Sequence, residues 1–373
     1  KLYMEKYEFP VLDLTTYQGG VTPVKMGGGN QTNSLRVEDS KGRDFAMREM
    51  TKDVTRFLPY PFNKMVAAKY IVEDNFLATH PFAAIAIPNL ADAIDVYHTN
   101  PELYYIPHQP ALMDFNQFFG GDVSLVEERP SGKHWKDAAF FGNADKIIST
   151  PDLVDDILND PKNRVDEPWA LRSRLFDFLI GDWDRHDDQW RWALINQEDG
   201  TRLYRPIPRD RDQAFSRYDG LTAGIARQTL PFLRQLQSYG PEIQSMKWTT
   251  WSARLFDRTF LNELDWPQWE EQVKFIQQHL TDDVIDNAFN DWPEKARELS
   301  AGELKIGLKA RRDNLMDIAS THYKFLSKSV DVIGTDEEEI FEIERVSDSL
   351  THVKVTEVSK KGRAKRITYD RMF

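Results

Sequence analysis

The chain has 373 residues, with 48 Lys and Arg against 60 Asp and Glu for a formal net charge of −12, and it contains no cysteine. Nucleic acids and anionic membranes attract proteins through cationic fields, so this charge balance argues against both as partners. Without cysteine, disulfides, thiolate zinc sites, iron–sulfur clusters and cysteine nucleophiles are excluded. A chain of this length predicts about two domains, or one domain with an appendage.

The N-terminal part is predicted to begin with β-strands. Residues 34–38 and 44–50, joined by a turn at Gly42, predict a β-hairpin, and residues 24–26 predict a strand before it. From Pro61 onward, apolar residues recur at intervals of three and four, which predicts a helix.

A second helix is predicted over about 81–96, where Pro88 is expected to break or kink it. Residues 103–106 and 123–127 are short strand candidates. The longest apolar block, residues 82–87, is far shorter than the roughly 20 residues of a membrane-spanning helix.

From about residue 136 the chain is predicted to be mainly helical. Asp166 is a plausible N-cap, with Pro168 in the first turn of the helix that follows. An apolar stripe then continues until Gly181, which is expected to end this helix.

Two strands, 190–196 and 202–207, are predicted next, then helices over about 221–328, and then β alternation to the C-terminus. The predicted fold class is α+β, a bilobal arrangement with a β-rich N-terminal lobe, a helical C-terminal lobe and a small β appendage. The predicted boundaries of these three parts are residues 1–130, 131–329 and 330–373, the last as a β-hairpin.

Two Asp-rich segments flank the predicted strand pair. Residues 181–190 precede it, residues 209–215 follow it, and together they contain six Asp. Loops at the same end of one hairpin should converge, and carboxylates in such number suit Mg²⁺ or Mn²⁺. The alternative is a turn with surface acids and structural Arg–Asp pairs.

A glycine run, Gly27, Gly28 and Gly29, follows the first predicted strand. Glycine has no Cβ, so its backbone amides can approach an anion closely, as a phosphate-covering loop requires. The same run is also compatible with an ordinary hairpin turn. No Gly-Lys-Ser/Thr follows it, so it is not a Walker A loop.

The order of these parts, and two motifs, resemble an atypical protein-kinase-like family. Asp184-Arg185-His186 followed by Gln189 resembles the D-R-H-x-x-N loop of phosphatidylinositol, HipA-type, secretory-pathway and spore-coat kinases. The segment 210–215 resembles the metal-binding segment of these kinases. The segment 27–36 is similar to the Gly-rich hairpin of a bacterial branch found beside a calcineurin-like phosphoesterase domain and an outer-membrane β-barrel. The resemblance covers about residues 10–320.

The resemblance implies a role for several residues in the two Asp segments. Asp184 would orient or deprotonate the phosphoryl acceptor. Asp210 would hold the Mg²⁺ or Mn²⁺ that bridges the ATP phosphates, with Asp212 as a second ligand. Gln189 stands where the family has a metal-ligating Asn, and its extra methylene displaces the ligand oxygen.

The resemblance also implies a nucleotide-binding set in the N-terminal lobe, to which the three glycines belong. Arg48 stands where a kinase has its phosphate-binding Lys, and Glu73 is the expected partner of that cation. Glu127 lies in the segment 126–129, the expected hinge that would meet adenine through its backbone. The planar guanidinium of Arg binds phosphate with a different geometry from the compact ammonium of Lys. This substitution leaves open whether the domain is an active kinase or a nucleotide-binding pseudokinase.

The leading hypothesis is therefore a kinase-like phosphotransferase domain that binds ATP and Mg²⁺ or Mn²⁺. One alternative is a non-catalytic pseudokinase or scaffold module of a cell-envelope protein. Another is a metal-dependent phosphohydrolase that uses the same acids, including Asp182 and Asp187, as a two-metal cluster. The resemblance implies a location in the periplasm or at the outer membrane, as part of a larger outer-membrane protein. The sequence does not identify the phosphoryl acceptor.

Overall fold

The computed structural model describes residues 2–27, 33–50, 78–219, 224, 227, 231–358 and 364–373. The helix predicted from Pro61 onward lies outside these ranges. Within them, no helix combines the length and the apolar character needed to cross a membrane.

The N-terminal part contains a five-stranded antiparallel sheet in the order β1-β2-β3-β5-β4. Its strands are Val21–Gly27 (β1), Ser34–Asp39 (β2), Asp44–Glu49 (β3), Glu102–Ile106 (β4) and Asp122–Glu128 (β5). All five predicted strands are confirmed, with ends that differ by a few residues. Strands β3 and β5 are antiparallel, and the register pairs Arg48, near the end of β3, with Leu125 in the middle of β5.

The β2–β3 turn is closed by one carboxylate. Asp39 accepts hydrogen bonds from the amides of Lys41 (2.9 Å) and Arg43 (2.8 Å), and from Arg43 Nε (2.7 Å). Gly42 has a φ of +77°, a conformation that a side chain disfavours. The predicted hairpin turn is therefore confirmed.

A second sheet has four strands in the order β6-β8-β9-β7. Its strands are Lys146–Ser149 (β6), Asn163–Val165 (β7), Trp190–Asn196 (β8) and Arg202–Pro208 (β9). The β8–β9 hairpin confirms the predicted strand pair, but the expectation of mainly helical structure from residue 136 missed β6 and β7. Trp190 and Trp192 face the core shared with the C-terminal helices, whereas Ala193 and Ile207 face the core shared with the N-terminal sheet.

The helices of the described residues lie mainly C-terminal to the second sheet. They are Ile87–Asp92 (α1), Asn116–Phe119 (α2), Thr150–Asn159 (α3), Glu167–Ile180 (α4), Met246–Thr249 (α5), Arg254–Phe260 (α6), Trp266–His279 (α7), Asp282–Asn287 (α8), Glu294–Ala296 (α9), Gly302–Asp313 (α10) and Leu315–Leu326 (α11). Pro88, predicted to break or kink a helix over 81–96, lies in the first turn of α1. The first amides of a helix have no intrahelical partner, so proline is tolerated there. The α-helix begins at Ile87, after a 3₁₀ turn over Ala83–Ala86, so the predicted break near Pro88 is confirmed.

Helix α4 leads directly into the first Asp-rich segment. Asp166 caps it by accepting a hydrogen bond from the Trp169 amide (3.3 Å), and Gly181 ends it at a φ of +71°. A Cβ at Gly181 would lie 2.7 Å from the ring of Tyr239, so glycine is required for space as well as for conformation. Both predicted ends of this helix are confirmed.

The C-terminal part is a separate three-stranded antiparallel sheet. Its strands are Glu339–Ser347 (β10), Leu350–Val358 (β11) and Ala364–Met372 (β12). Hydrogen bonds from Tyr369 Oη to the Asn262 carbonyl (2.9 Å) and from the Asp336 amide to the Leu158 carbonyl (3.0 Å) attach this part to the helical region. The predicted β appendage is confirmed, with three strands in place of one hairpin, and the fold is α+β.

A histidine near the interface with the helices makes stability depend on pH. His80 stacks on Trp292 with ring centroids 4.3 Å apart, and its Nε2 lies 2.9 Å from Ser300 Oγ. Burial lowers the pKa of His80 from 6.5 to about 3. Because the folded state holds the His80 ring neutral, the stabilisation by the neutral ring is fully present above pH 6.5 and is lost as the pH falls toward 3.

We therefore expect His80→Phe to remove part of the acid sensitivity. At pH 5 the unfolded state of the wild type gains about 2 kcal/mol from protonation of this one ring. Thermal melts of the wild type and of His80→Phe at pH 7 and pH 5 should show a smaller drop for the variant. Equal drops would mean that His80 is not neutral in the folded protein.

Candidate functional site

The two Asp-rich segments meet, as the sequence predicts. The Arg209 amide donates to the Gln189 carbonyl (2.9 Å), which joins the segments at the end of the β8–β9 hairpin. The buried guanidinium of Arg185 donates to the carbonyls of Arg209 (2.8 Å) and Gln189 (3.2 Å). Backbone and side chain together therefore fix the position of Asp210 relative to the loop that carries Asp184.

Arg185 belongs to a buried charge network beneath the site. Its NH1 lies 3.3 Å from Asp182 Oδ2, and Arg211 NH1 lies 3.1 Å from the same oxygen. Asp177 on α4 pairs with Arg211 as well, and its Oδ2 lies 3.6 Å from Arg185 Nε. Asp182 is thus held between two guanidiniums, and this position disfavours it as a metal ligand.

Asp210 lies at the centre of the candidate site. It adopts a φ of +57°, which Asp tolerates better than most residues and which often marks functional positions. Gln189 Nε2 lies 3.4 Å from Asp210 Oδ2, and Arg48 NH2 lies 3.8 Å from the same oxygen. Burial acts to raise the pKa of Asp210, but Arg48, Arg209 and the Gln189 hydrogen bond outweigh it and lower the pKa below the ordinary value.

Arg48 connects the N-terminal sheet to this carboxylate. From β3 it pairs with Glu127 on β5 and reaches Asp210 across the cleft. Glu127 is 3% exposed and also accepts a hydrogen bond from Thr99 Oγ1 (2.7 Å). Glu73, the predicted partner of Arg48, lies outside the described residues, and the adenine contact predicted for the Glu127 backbone stays a prediction.

Asp184 faces the same region from the first segment. Burial raises its pKa, and the negative charges of Asp212 and Asp210 raise it further, against the lowering effect of His186. Over the described ranges, no hydrogen bond or ion pair engages its carboxylate. Asp184 is therefore available to accept a proton.

The oxygen donors fit a hard divalent cation that keeps some ligands from solvent or substrate. Asp210, Asp212 and the amide of Gln189 lie in the two joined segments. The amide of Gln189 presents its nitrogen to Asp210, and if it were turned over, its oxygen could contact a metal bound by Asp210. In the part of the chain that the structure describes, no group of three or more His, Cys, Asp or Glu is arranged to hold a metal. Mg²⁺ commonly binds through one or two carboxylates plus phosphate oxygens, so this donor set suits it.

A pocket of about 530 Å³, open to solvent, lies beside these groups. Arg48, Asp210 and Asp212 line it, together with Thr79 and Leu125 among others. Of the predicted glycines, Gly27 ends β1, and Gly28 and Gly29 lie outside the described residues.

Sequence reasoning assigned no role to Arg209, which precedes Asp210. Only 8% of Arg209 is exposed, and its Nε is buried without a hydrogen-bond partner. Burial lowers the pKa of Arg209 to about 10, with the nearby cations Arg191, Arg48 and Arg129 acting in the same direction. The alternation Arg-Asp-Arg-Asp at 209–212 gives no signal that the first arginine is unpaired and the second is paired.

Comparisons with known proteins give little. No protein-family model and no curated protein matches the sequence. Among solved structures, the fold is similar to the Rio2 kinase of Chaetomium thermophilum in its ADP/Mg²⁺-phosphoaspartate complex, with a TM-score of 0.31 and 13% identity over 79% of this chain and 72% of that one. An overlap at this TM-score carries no argument about function, which has to rest on the residues of this chain.

Proposed function

We propose that this chain is a kinase-like phosphotransferase domain that binds ATP with Mg²⁺ or Mn²⁺ in the cleft between the two sheets. The observation that carries the proposal is the meeting of Arg48, from the N-terminal sheet, with Asp210, at the junction of the two Asp-rich segments. A cation that can bind phosphate, next to a carboxylate that can bind a metal, is the arrangement that a metal–polyphosphate ligand needs.

Each residue has a distinct task in this proposal. Asp210 and Gln189 would hold the metal together with Asp212, and a bound metal would neutralise charge on the phosphates. Arg48 is placed by Glu127 so that its guanidinium can bind phosphate oxygens in a fork. Asp184, with a raised pKa and no partner in the described ranges, can take a proton from an acceptor hydroxyl.

Replacing Asp184 by Asn should separate binding from turnover. The variant should bind ATP and Mg²⁺ within about threefold of the wild type, whereas ATP turnover should fall by about 100-fold or more because the proton acceptor is lost. Calorimetric titration and an ADP-release assay measure the two effects. Asp199→Asn, in the exposed β8–β9 turn, is the matched control and should change neither.

Several results would contradict parts of the proposal. No binding at millimolar ATP with Mg²⁺ or Mn²⁺ would exclude the nucleotide site. Binding without turnover in the wild type would favour the pseudokinase, for which the engagement of Arg48 by two carboxylates is the supporting observation. The phosphohydrolase alternative is disfavoured because Asp182 is committed to Arg185 and Arg211. The cell-envelope location is a further part of the proposal and rests on the resemblance alone.

A further inference from the structure

A larger cavity lies away from the cleft, where the C-terminal sheet meets the helical region. It has a volume of about 1000 Å³, is open to solvent, and shares no lining residue with the pocket that Asp210 lines. Helix α3, strand β7, the first turn of α4 and strands β11 and β12 all contribute to its lining. Apolar side chains of the lining include Val154, Ile157, Phe260 and Ile333. The cavity can therefore hold the apolar part of a small molecule.

One amide oxygen of the lining has no hydrogen-bond partner. Asn163, on β7, is 5% exposed and lines the cavity, and its Nδ2 donates to the Asp156 carbonyl (2.5 Å). This bond fixes which way the amide is turned, and it leaves Oδ1 buried without a donor among the described residues. A buried acceptor without a donor destabilises the fold, so a ligand that donates to Asn163 Oδ1 would gain this energy on binding.

A carboxylate of the same lining has no ion-pair partner. Glu167, in the first turn of α4, is 8% exposed, and its Oε2 accepts from the Glu263 amide (2.9 Å). No ion pair joins its carboxylate to any residue that the structure describes. Arg164 pairs instead with Glu263 Oε2 (2.8 Å), and Arg371 donates to the Asn262 carbonyl. Burial and the charge of Glu263 raise the pKa of Glu167 well above its ordinary value, and these two guanidiniums lower it too little to compensate.

The remaining charged groups of the lining already have partners. Glu339 accepts hydrogen bonds from the amide (2.9 Å) and the hydroxyl (3.1 Å) of Thr335. Arg366 Nε lies 3.4 Å from Glu357 Oε2. The NH2 of Arg366 is buried without a hydrogen-bond partner, but its guanidinium keeps this ion pair, whereas Glu167 has none within the described ranges. The charge that lacks a partner in this lining is therefore negative, and it favours a cationic ligand.

We propose that this cavity binds a small molecule that carries a protonated amino group on an apolar body, such as an alkylamine. The ammonium group donates to the carboxylate of Glu167 and to Asn163 Oδ1, and the apolar body packs against side chains such as Ile157 and Phe260. A primary ammonium has three N–H donors and no acceptor, so one group can serve both oxygens. The inference is independent of the phosphotransferase proposal, because it concerns a different cavity and needs no nucleotide.

Titration of the full chain with hexylamine, 1-hexanol and hexanoate tests this inference, because the three probes share a chain length and differ in their charge. Hexylamine should bind about tenfold or more tightly than 1-hexanol, since a hydrogen bond between charged groups is the stronger kind. Glu167→Gln should remove this advantage and leave the affinity for 1-hexanol within about twofold, because Gln keeps the shape and an oxygen for the Glu263 amide.

Glu339→Gln is the matched control within the same cavity. Its carboxylate is already bonded to Thr335, so this variant should change the affinity for hexylamine by no more than about threefold. Equal losses in Glu167→Gln and Glu339→Gln would mean that only the overall charge of the cavity acts, and would overturn the inference.

A second variant keeps Glu167 and fills the cavity instead. Val154→Phe places a larger side chain in the lining and should weaken the binding of both hexylamine and 1-hexanol. This variant tests the location of the site even if Glu167→Gln does not fold. The inference is wrong if hexylamine does not bind the wild type, if Val154→Phe binds it unchanged, or if hexanoate binds more tightly than hexylamine.

Discussion

Replacing Asp177 by Asn should lower the free energy of unfolding by about 3–5 kcal/mol, because three buried guanidiniums, those of Arg174, Arg185 and Arg211, then share only two carboxylates, Asp182 and Asp257. Asp177 is fully buried on α4 and pairs with Arg174 and Arg211, with Arg185 3.6 Å away. Asn keeps the shape of the side chain and removes only the charge. Equilibrium denaturation in urea measures the difference, which is large against the stability of an ordinary domain.

The control for this loss is an exposed ion pair on a helix. Glu270 lies 3.1 Å from Lys274 on α7, one turn away, and the two side chains are 40% and 65% exposed. Glu270→Gln should cost no more than about 0.5 kcal/mol, since exposed pairs of this kind contribute little. If Asp177→Asn cost as little as this control, the network would not be what holds the two Asp-rich segments together.

The local parts of the fold could be predicted from the sequence. The β2–β3 and β8–β9 hairpins and helix α4 are set by turns, caps and alternation within a few neighbouring residues, such as Gly42, Asp166 and Gly181. Strands β6 and β7 could not be predicted, because four and three residues are too few for an alternating pattern. Strand β7 moreover pairs in parallel with β9, about 40 residues later in the chain, so its partner has no local signature.

In the candidate site, too, local features could be predicted from the sequence and tertiary contacts could not. The meeting of the segments at Asp184 and Asp210 followed from one local hairpin and could be predicted. The partners of Arg209 and Arg211 could not be predicted, because they depend on the tertiary structure. Arg211 pairs with Asp177 on α4 and with Asp182, whereas the Nε of Arg209 is buried without a hydrogen-bond partner. Two arginines that are two residues apart in a loop therefore differ in their partners, which only the tertiary structure reveals.

Asp210→Asn should reduce metal-dependent ATP binding by roughly 100-fold or more, at least as much as the loss of an outer-shell partner of a metal ligand. Asn tolerates the φ of +57° observed at this position, so the backbone should be retained while the charge is lost. The variant also leaves Arg48 with one carboxylate, Glu127, in place of two. Titration of ATP with and without Mg²⁺ measures the effect.

Comparing ATP binding with and without Mg²⁺ shows whether Asp210→Asn weakens binding by removing a metal ligand. If Asp210 acts through a bound cation, the wild type should bind ATP more tightly with Mg²⁺ than without it, and this difference should vanish in Asp210→Asn. Asn in place of Asp also removes repulsion between the carboxylate and the phosphates, so metal-free ATP should bind the variant at least as well as the wild type. A variant that kept the full response to Mg²⁺ would show that the cation is held elsewhere, and Asp210 would then serve to position Arg48.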